Sequence, residues 1–229
     1  MPIQIDQFTR SRRRTIAIQV RPDGQVWVRA PLRTPEKLIR EFVESKADWI
    51  GRKQAEAVQR APLVVKHFRP GEGFLFLGQE YPLVLVEKQR PALVFDQQFT
   101  LSRAALPRAG KTFEQWYRAQ ALRVLSERVR YYAARYGFKP GRVRISSART
   151  RWGSCSSKGT LSFTWRLVMA PLEVIDYVVL HELVHLKVRN HSGTFWGGVA
   201  ALMPEYKKHV AWLKKNGARL TLGDGTEDG

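Results

Sequence analysis

The sequence predicts an α+β fold, with a β-rich region over residues 1–105, a helix-rich domain over residues 106–220 and a tail over residues 221–229. Three observations favour this class. Alternating apolar and polar residues mark strands in the first half, and apolar residues at helical spacing dominate the second half. A length of 229 residues with 44% hydrophobic residues is also sufficient for a buried core.

The N-terminal region is predicted to contain two hairpins with a helix between them. TIAIQV and QVWVRAP alternate around the turn RPDG, and FLFLGQEYPLVLVEK is predicted to turn at Gly78–Gln79. Between them, TPEKLIREFVESKADWIGRKQAEAVQ shows helical spacing, with Thr34 as the N-cap and Pro35 in the first helical position. The looser segment over residues 101–110 is predicted to be a linker.

The second half is predicted to be mainly helical. An amphipathic helix over residues 111–138 is expected to end at Gly137. Two strands joined by a Gly/Ser-rich loop are predicted in RVRISSARTRWGSCSSKGTLSFTWRLV, and Pro171 is expected to open the next helix. Ser192 is predicted to cap a further helix, and PEYKKHVAWLKKN to form the last one, before a disordered acidic tail.

The composition predicts a basic cytoplasmic protein. The net charge of +19 attracts nucleic acid, nucleotides or anionic surfaces, although a generally basic proteome would also produce it. The single cysteine, Cys155, excludes an intrachain disulfide and fits a reducing compartment. No apolar signal segment and no run of 18 apolar residues occurs, so we expect neither secretion nor insertion into a membrane.

The segment VVLHELVHLKVRNHSGTFW contains three of the five histidines. His181 and His185 lie four residues apart, so on a helix both imidazoles face one point. Glu182 is offset from that face and is expected to reach the attacking water without binding the metal. The pattern therefore predicts a zinc site with two histidine ligands and a general base on one turn.

A third ligand is expected after this helix, since catalytic zinc usually has three protein ligands. Asn190 is expected to end the helix in the left-handed conformation, and His191 follows at the spacing of the third ligand in H-E-x-x-H-x-x-G-x-x-H enzymes. Val188 replaces the glycine of that pattern. His191 is the predicted third ligand, and Glu205 and His209 are the alternatives.

The alternative interpretation is a core helix with inert, hydrogen-bonded histidines. Burial of three polar groups would cost several kcal/mol unless something satisfies them, and a metal ion does so. The metal site is therefore the favoured interpretation.

RWGSCSSKGTLSFTWRLVMAP followed by VIDYVVLHELVHLKVRNHSGTFW closely resembles the YgjP-like metallopeptidase family, and VRAP, ADWI and LGQEY extend the resemblance over most of the chain. More distantly the motif resembles the SprT and WLM zincins, which include proteases that act on proteins crosslinked to DNA. The resemblance implies a gluzincin-like minimal domain with a supporting helix, a small antiparallel sheet, the motif-bearing helix and a following helix. It also implies zinc on His181, His185 and His191, with Glu182 as the base.

Two substrates are compatible with such a metallohydrolase. For a peptidase, the strand TLSFTW is expected to pair with an extended polypeptide, and Arg166, Tyr206 and His209 are candidates to stabilise the oxyanion. The resemblance also implies release of pyrophosphate from UTP. For that reaction the cations around the RWGSCSSKG loop, Arg149, Arg151, Lys158 and Arg166, would contact phosphate, unless they are simply solvated.

Two further possibilities concern Cys155 and the basic surface. Cys155 is predicted to be a small buried residue, with a fourth, silencing zinc ligand as the alternative. A nucleic-acid-associated protease or binding module is supported by the net charge and by the cluster Arg10, Arg12, Arg13 and Arg14. The intact Glu182 argues against binding without catalysis, because structural zinc needs no general base.

Overall fold

A computed structural model describes residues 3–21, 23–58 and 65–223. The chain divides into two compact units, Met1–Pro62 and Leu63–Gly229. This division differs from the predicted one, whose boundary after residue 105 lies within the second unit. The reason is that residues on both sides of that boundary share one hydrophobic core. Most of the predicted tail, residues 224–229, lies outside the described residues.

The first unit contains a three-stranded sheet, in the order β1-β3-β2, and two helices. Its elements are β1 (Gln7–Ser11), β2 (Ala17–Val20), β3 (Val26–Pro31), α1 (Glu36–Glu44) and α2 (Ala47–Val58). Strands β2 and β3 form the predicted antiparallel hairpin, while β1, which was not predicted, pairs with β3 in parallel. Alternate side chains of β3 are buried against α1, as the period of two requires.

The prediction of one continuous helix over residues 34–59 is wrong. The helix breaks at Ser45, whose hydroxyl donates a hydrogen bond of 2.7 Å to the Phe42 carbonyl, and α2 starts two residues later. Pro35 occupies the N-cap position, one residue later than the predicted cap Thr34.

The second unit begins with a four-stranded sheet in the order β4-β5-β7-β6. Its strands are β4 (Gly73–Phe76), β5 (Gln79–Val86), β6 (Leu93–Phe95) and β7 (Phe99–Ser102). The β4–β5 hairpin is confirmed, but its turn is Leu77–Gly78, one residue earlier than the predicted Gly78–Gln79, because Gln79 pairs with Phe76. Both turn residues are left-handed, with φ of 49° and 84°. The predicted linker over residues 101–110 is wrong, because Leu101, Ala105 and Ala109 are buried in the core.

Helix α3 (Ala109–Tyr136) is the supporting helix of this unit. It ends as predicted at Gly137, which has a φ of 67° and donates its N–H to the Ala133 carbonyl. Its buried face contacts an aromatic cluster around Phe74, Phe99 and Trp165.

A second sheet has three strands, β8 (Val143–Ser146), β9 (Gly153–Cys155) and β10 (Leu161–Thr164), in the order β8-β10-β9. The sheet is mixed where an antiparallel one was predicted, because β10 pairs with β8 in parallel and with β9 antiparallel. The prediction that TLSFTW pairs with substrate is also wrong, since β10 has a neighbour on each side. Strand β9 is an edge strand.

Three helices complete the unit: α4 (Leu172–Val184), α5 (Gly193–Leu202) and α6 (Tyr206–Asn216). Almost every side chain of α4 is buried. Its Asp176 accepts hydrogen bonds of 2.6 and 2.8 Å from the Arg128 guanidinium of α3, and this pairing raises the pKa of Arg128. The α+β class and the gluzincin-like order of supporting helix, sheet, motif-bearing helix and following helix are confirmed.

Among the described residues, no helix combines the length and the apolar character that a membrane span requires.

Candidate metal centre

The HELVH motif lies at the C-terminal end of α4. His181 and Glu182 are in the last turn of the helix, and His185 is its C-cap residue. The apolar residues around them, among them Val178, Leu180 and Leu183, are buried in the core. Because those residues are held on several sides, the two histidines and the glutamate have little freedom to move.

The turn after α4 brings His191 back to the other two histidines. Arg189 anchors this turn, since its guanidinium donates hydrogen bonds of 2.8 and 3.0 Å to the carbonyls of Ser156 and Ser157. Asn190 does not adopt the predicted left-handed conformation. Ser192 occupies the N-cap of α5, as expected, but its side chain makes no cap hydrogen bond.

The Nε2 atoms of the three histidines converge. His191 Nε2 lies 3.1 Å from His181 Nε2 and 3.2 Å from His185 Nε2. A neutral imidazole carries one proton, so His191 Nε2 cannot donate to both neighbours at once. In at least one of these two contacts, therefore, no proton lies between the two nitrogens, and a cation among them would remove the repulsion of their lone pairs. This donor set fits a metal ion.

Contacts on the far side of two rings orient them. His185 Nδ1 lies 3.0 Å from the Val188 carbonyl oxygen, and His181 Nδ1 lies 3.5 Å from the Tyr177 hydroxyl. A carbonyl only accepts hydrogen bonds, so the proton of neutral His185 resides on Nδ1 and the Nε2 lone pair faces the cluster.

Aromatic rings enclose the histidines. Phe195 stacks on His185 with ring centroids 4.4 Å apart, and Trp196 stacks on His191 at 5.7 Å. Burial lowers the pKa of His181 to about 4, and burial also lowers the pKa of His185. Both imidazoles are therefore neutral near pH 7, which is the form that binds metal.

Glu182 is almost fully enclosed beside this cluster. Its side chain is buried and its Oε2 atom has no hydrogen-bond partner among the described residues. Burial raises the pKa of its carboxyl to about 7, and the nearby charge of Arg151 opposes the shift. Burying a carboxyl oxygen without a hydrogen-bond partner costs free energy of folding, so its presence indicates a functional role.

Gly153 makes room for this carboxyl group. A Cβ atom at Gly153 would lie 2.5 Å from Glu182 Oε1 and 2.7 Å from Glu182 Cγ. Strand β9 thus passes so close to Glu182 that a side chain at this position would displace the carboxyl group. Sequence reasoning did not identify this role, although the glycine stands in the motif RWGSC.

A cavity of about 600 Å³ opens over the histidines and Glu182. Three cations line it, Arg151, Arg189 and Lys214, together with Tyr177. Of these, only Arg151 was predicted as a substrate contact. Tyr177 and Arg189 lie close to the motif in sequence and Lys214 does not, but no sequence pattern identified any of the three as a residue that lines the cavity.

The other predicted substrate contacts do not line this cavity. Lys158 lines a neighbouring cavity, and the Arg166 guanidinium lies 4.3 Å from the Trp165 ring centroid and donates to the Ser147 carbonyl. Tyr206 and His209 stack on Tyr177 at 6.4 and 6.3 Å. Arg149 is exposed and lines neither cavity.

The alternative ligands lie outside the histidine cluster. Glu205 is exposed and pairs with Lys208, and the metal-ligating atoms that converge belong to His181, His185 and His191. Cys155 is half-buried, its Sγ contacts the Ser156 carbonyl at 3.6 Å, and burial raises the pKa of its thiol.

Comparison with known proteins gives one family. The model of the YgjP-like metallopeptidase domain matches residues 14–216. A search of the curated proteins gives no match. A solved structure that the chain resembles is the metallopeptidase zymogen of Pyrococcus abyssi abylysin, with 24% sequence identity and a TM-score of 0.36, over 40% of this chain and 96% of that chain.

Proposed function

The chain belongs to the YgjP-like metallopeptidase family, and from this membership we propose that it is a zinc-dependent peptidase in which His181, His185 and His191 bind the metal and Glu182 is the general base. The observation that carries the proposal is the convergence of three Nε2 atoms beside a buried carboxyl group. Both features leave polar atoms without a satisfying partner, and a bound cation with an attacking water would satisfy both.

Zinc is the metal that best suits these donors. Neutral imidazoles are good ligands for zinc, whereas magnesium and calcium select oxygen ligands. Three histidines also leave one position for water or substrate, as catalytic zinc requires. Zinc held there would polarise the scissile carbonyl and increase the acidity of a water molecule.

The chain's own groups supply the proton transfers. Glu182 accepts a proton from the attacking water and delivers it to the nitrogen of the leaving amine. With a carboxyl pKa raised to about 7 by burial, Glu182 is suited to both steps. Arg151 lines the same cavity, and this supports a role for its guanidinium in stabilising the negative charge that develops on the carbonyl oxygen. The free edge of β9 offers backbone groups to an extended substrate.

The nucleotide pyrophosphatase alternative has weaker support. Of the four cations predicted to contact phosphate, only Arg151 lines the cavity over the histidines. The nucleotide is therefore included as a competing substrate in the test and is not proposed.

The test is product analysis by mass spectrometry. Protein stripped of metal by a chelator and reloaded with zinc is incubated with an unfolded polypeptide, single-stranded DNA and UTP together. We expect peptide fragments from the zinc-loaded chain and none from the metal-free chain. Glu182→Gln should retain zinc and lose activity by about 100-fold or more, as expected for loss of a general base.

Two results would contradict the proposal. UMP and pyrophosphate without peptide fragments would assign the site to nucleotide hydrolysis. Equal peptide yields from the wild type and Glu182→Gln would show that a contaminating protease is responsible.

A further inference from the structure

A second cavity, of about 640 Å³, lies on the outer face of the β8-β10-β9 sheet. The strand register aligns Arg144, Ser162 and Ser154 in one row across the three strands. Leu161 and Phe163, on either side of Ser162, are fully buried, so this row faces away from the core. We call this surface the basic groove and define it by Arg142, Arg144, Lys158, Ser154 and Ser162.

No carboxylate of the described residues neutralises the charge of the basic groove. Among the described residues that line it, three are cations and none carries a carboxylate. Arg142, Arg144 and Lys158 are exposed, and none of the carboxylates in the described ranges forms an ion pair with them. An anionic ligand would therefore meet three available charges and a row of hydroxyl groups.

The basic groove adjoins the cavity over the histidines. Ser154 and Cys155 line both cavities, so β9 forms the boundary between them. Successive side chains of an extended peptide along the edge of β9 point to opposite faces of the sheet. One set of these side chains is thus directed toward the basic groove.

From these relations we infer that the peptidase selects polypeptides with Asp or Glu residues flanking the scissile bond, whose carboxylates bind in the basic groove. This inference rests on the proposed function. A carboxylate-bearing peptide suits the groove better than single-stranded nucleic acid does, because nucleic-acid channels present aromatic side chains on which bases stack. No aromatic residue lines the groove in the part of the chain that the structure describes.

The test is cleavage-site profiling of a peptide library by the full zinc-loaded chain. We expect Asp and Glu to be enriched within about four residues of the cleaved bonds, because β9 is short and only a few residues of a peptide along its edge lie beside the basic groove. A matched peptide pair, with Glu at those positions or Gln instead, should differ about tenfold in kcat/KM, since three partly solvated ion pairs contribute modestly. Raising the salt concentration to about 0.5 M should reduce the difference, because exposed charges are screened.

Variants connect the preference to the groove. The triple variant Arg142→Gln, Arg144→Gln and Lys158→Gln should abolish the difference in kcat/KM between the paired peptides. The single variant Arg144→Gln should reduce the difference about twofold, because it removes one of three comparable ion pairs that together produce about tenfold. The control is Arg123→Gln, Arg130→Gln and Lys111→Gln on α3, which removes equal charge from residues outside both cavities.

The outcomes separate the inference from the proposed function. If no peptide is cleaved, the proposed function fails. If peptides are cleaved without acidic enrichment, or the triple variant keeps the preference, the inference is overturned and the function remains. Binding of a labelled oligonucleotide that the triple variant loses, with peptide selectivity unchanged, would assign the groove to nucleic acid and also overturn the inference.

Discussion

The Nδ1 atom of His185 lies 3.0 Å from the carbonyl oxygen of Val188. This contact orients a proposed metal ligand through the backbone of the turn that follows it, and it leaves the Nε2 lone pair directed toward the cluster. Val188 occupies the position where the longer zinc motif has glycine. Here the backbone carbonyl of that residue, rather than its side chain, takes part in the site.

We predict that His191→Ala lowers zinc affinity by about 100-fold or more. Loss of a residue that only hydrogen-bonds to a ligand already lowers metal affinity by about 10–100-fold, and loss of the ligand itself has a larger effect. Competition with a chromophoric chelator measures the affinity. His209→Ala is the matched control, since His209 stacks on Tyr177 outside the cluster. If His209→Ala lost zinc and His191→Ala retained it, His209 and not His191 would be the third ligand.

Gly153→Ala should reduce kcat by about tenfold or more while zinc content is unchanged. The new Cβ would lie within 2.8 Å of the Glu182 carboxyl carbon, so the carboxyl group must move from its place beside the histidines. Gly197→Ala in α5 is the control, because a Cβ there has no atom within 4 Å. Full activity in Gly153→Ala would show that the position of Glu182 is not critical.

In the metal-free protein, Glu182→Gln should increase the free energy of unfolding at alkaline pH. Burial raises the pKa of this carboxyl from 4.5 to about 7 in the folded state. Between these two pH values the carboxyl group is ionised in the unfolded state but still protonated in the folded state. Stability from this group is present at low pH and is lost as the pH rises.

Urea unfolding in a chelator therefore should show little difference between the two chains near pH 4.5. At pH 8 the variant should be more stable by up to about 3 kcal/mol. The titrations of the histidines occur in both chains and cancel in the comparison. A difference that is largest at low pH would contradict the stated direction of the pKa shift.

Asp176→Asn should destabilise the protein by about 3 kcal/mol, because it leaves the largely buried Arg128 guanidinium without its charged partner. Glu36→Gln, which removes the exposed pair with Arg40, should cost less than about 1 kcal/mol. The midpoint of urea unfolding measures both. Equal midpoints would mean that the α3–α4 ion pair contributes no more than a surface pair.

The elements with strong periodicity or an explicit end signal were predictable from the sequence. Helix α3 and its end at Gly137, the two hairpins and the spacing of His181 and His185 belong to this group. Strands β1 and β9 were not predictable. Strand β1 is exposed along nearly its whole length and β9 has three residues, so neither produces a hydrophobic pattern.

The surroundings of the proposed site were harder to predict than its motif. The His191 spacing agreed with a known pattern, but Arg189 and Gly153 take their roles from contacts between distant segments. Such contacts depend on how β9 and the turn after α4 approach each other, which local sequence does not determine. Arg166 illustrates the converse, since it lies near the motif in sequence but contacts Trp165.

Helix α4 is buried along most of its length, whereas β9 and the basic groove are at the surface. Mutations in α4 therefore disturb the core, while substitutions in the strands and loops beside it alter recognition at little cost to stability. Directed evolution of a new substrate range should accordingly gain most from libraries confined to residues 142–158, with Arg151 and Gly153 kept constant. Helix α4, which carries His181 and Glu182, is best left unchanged.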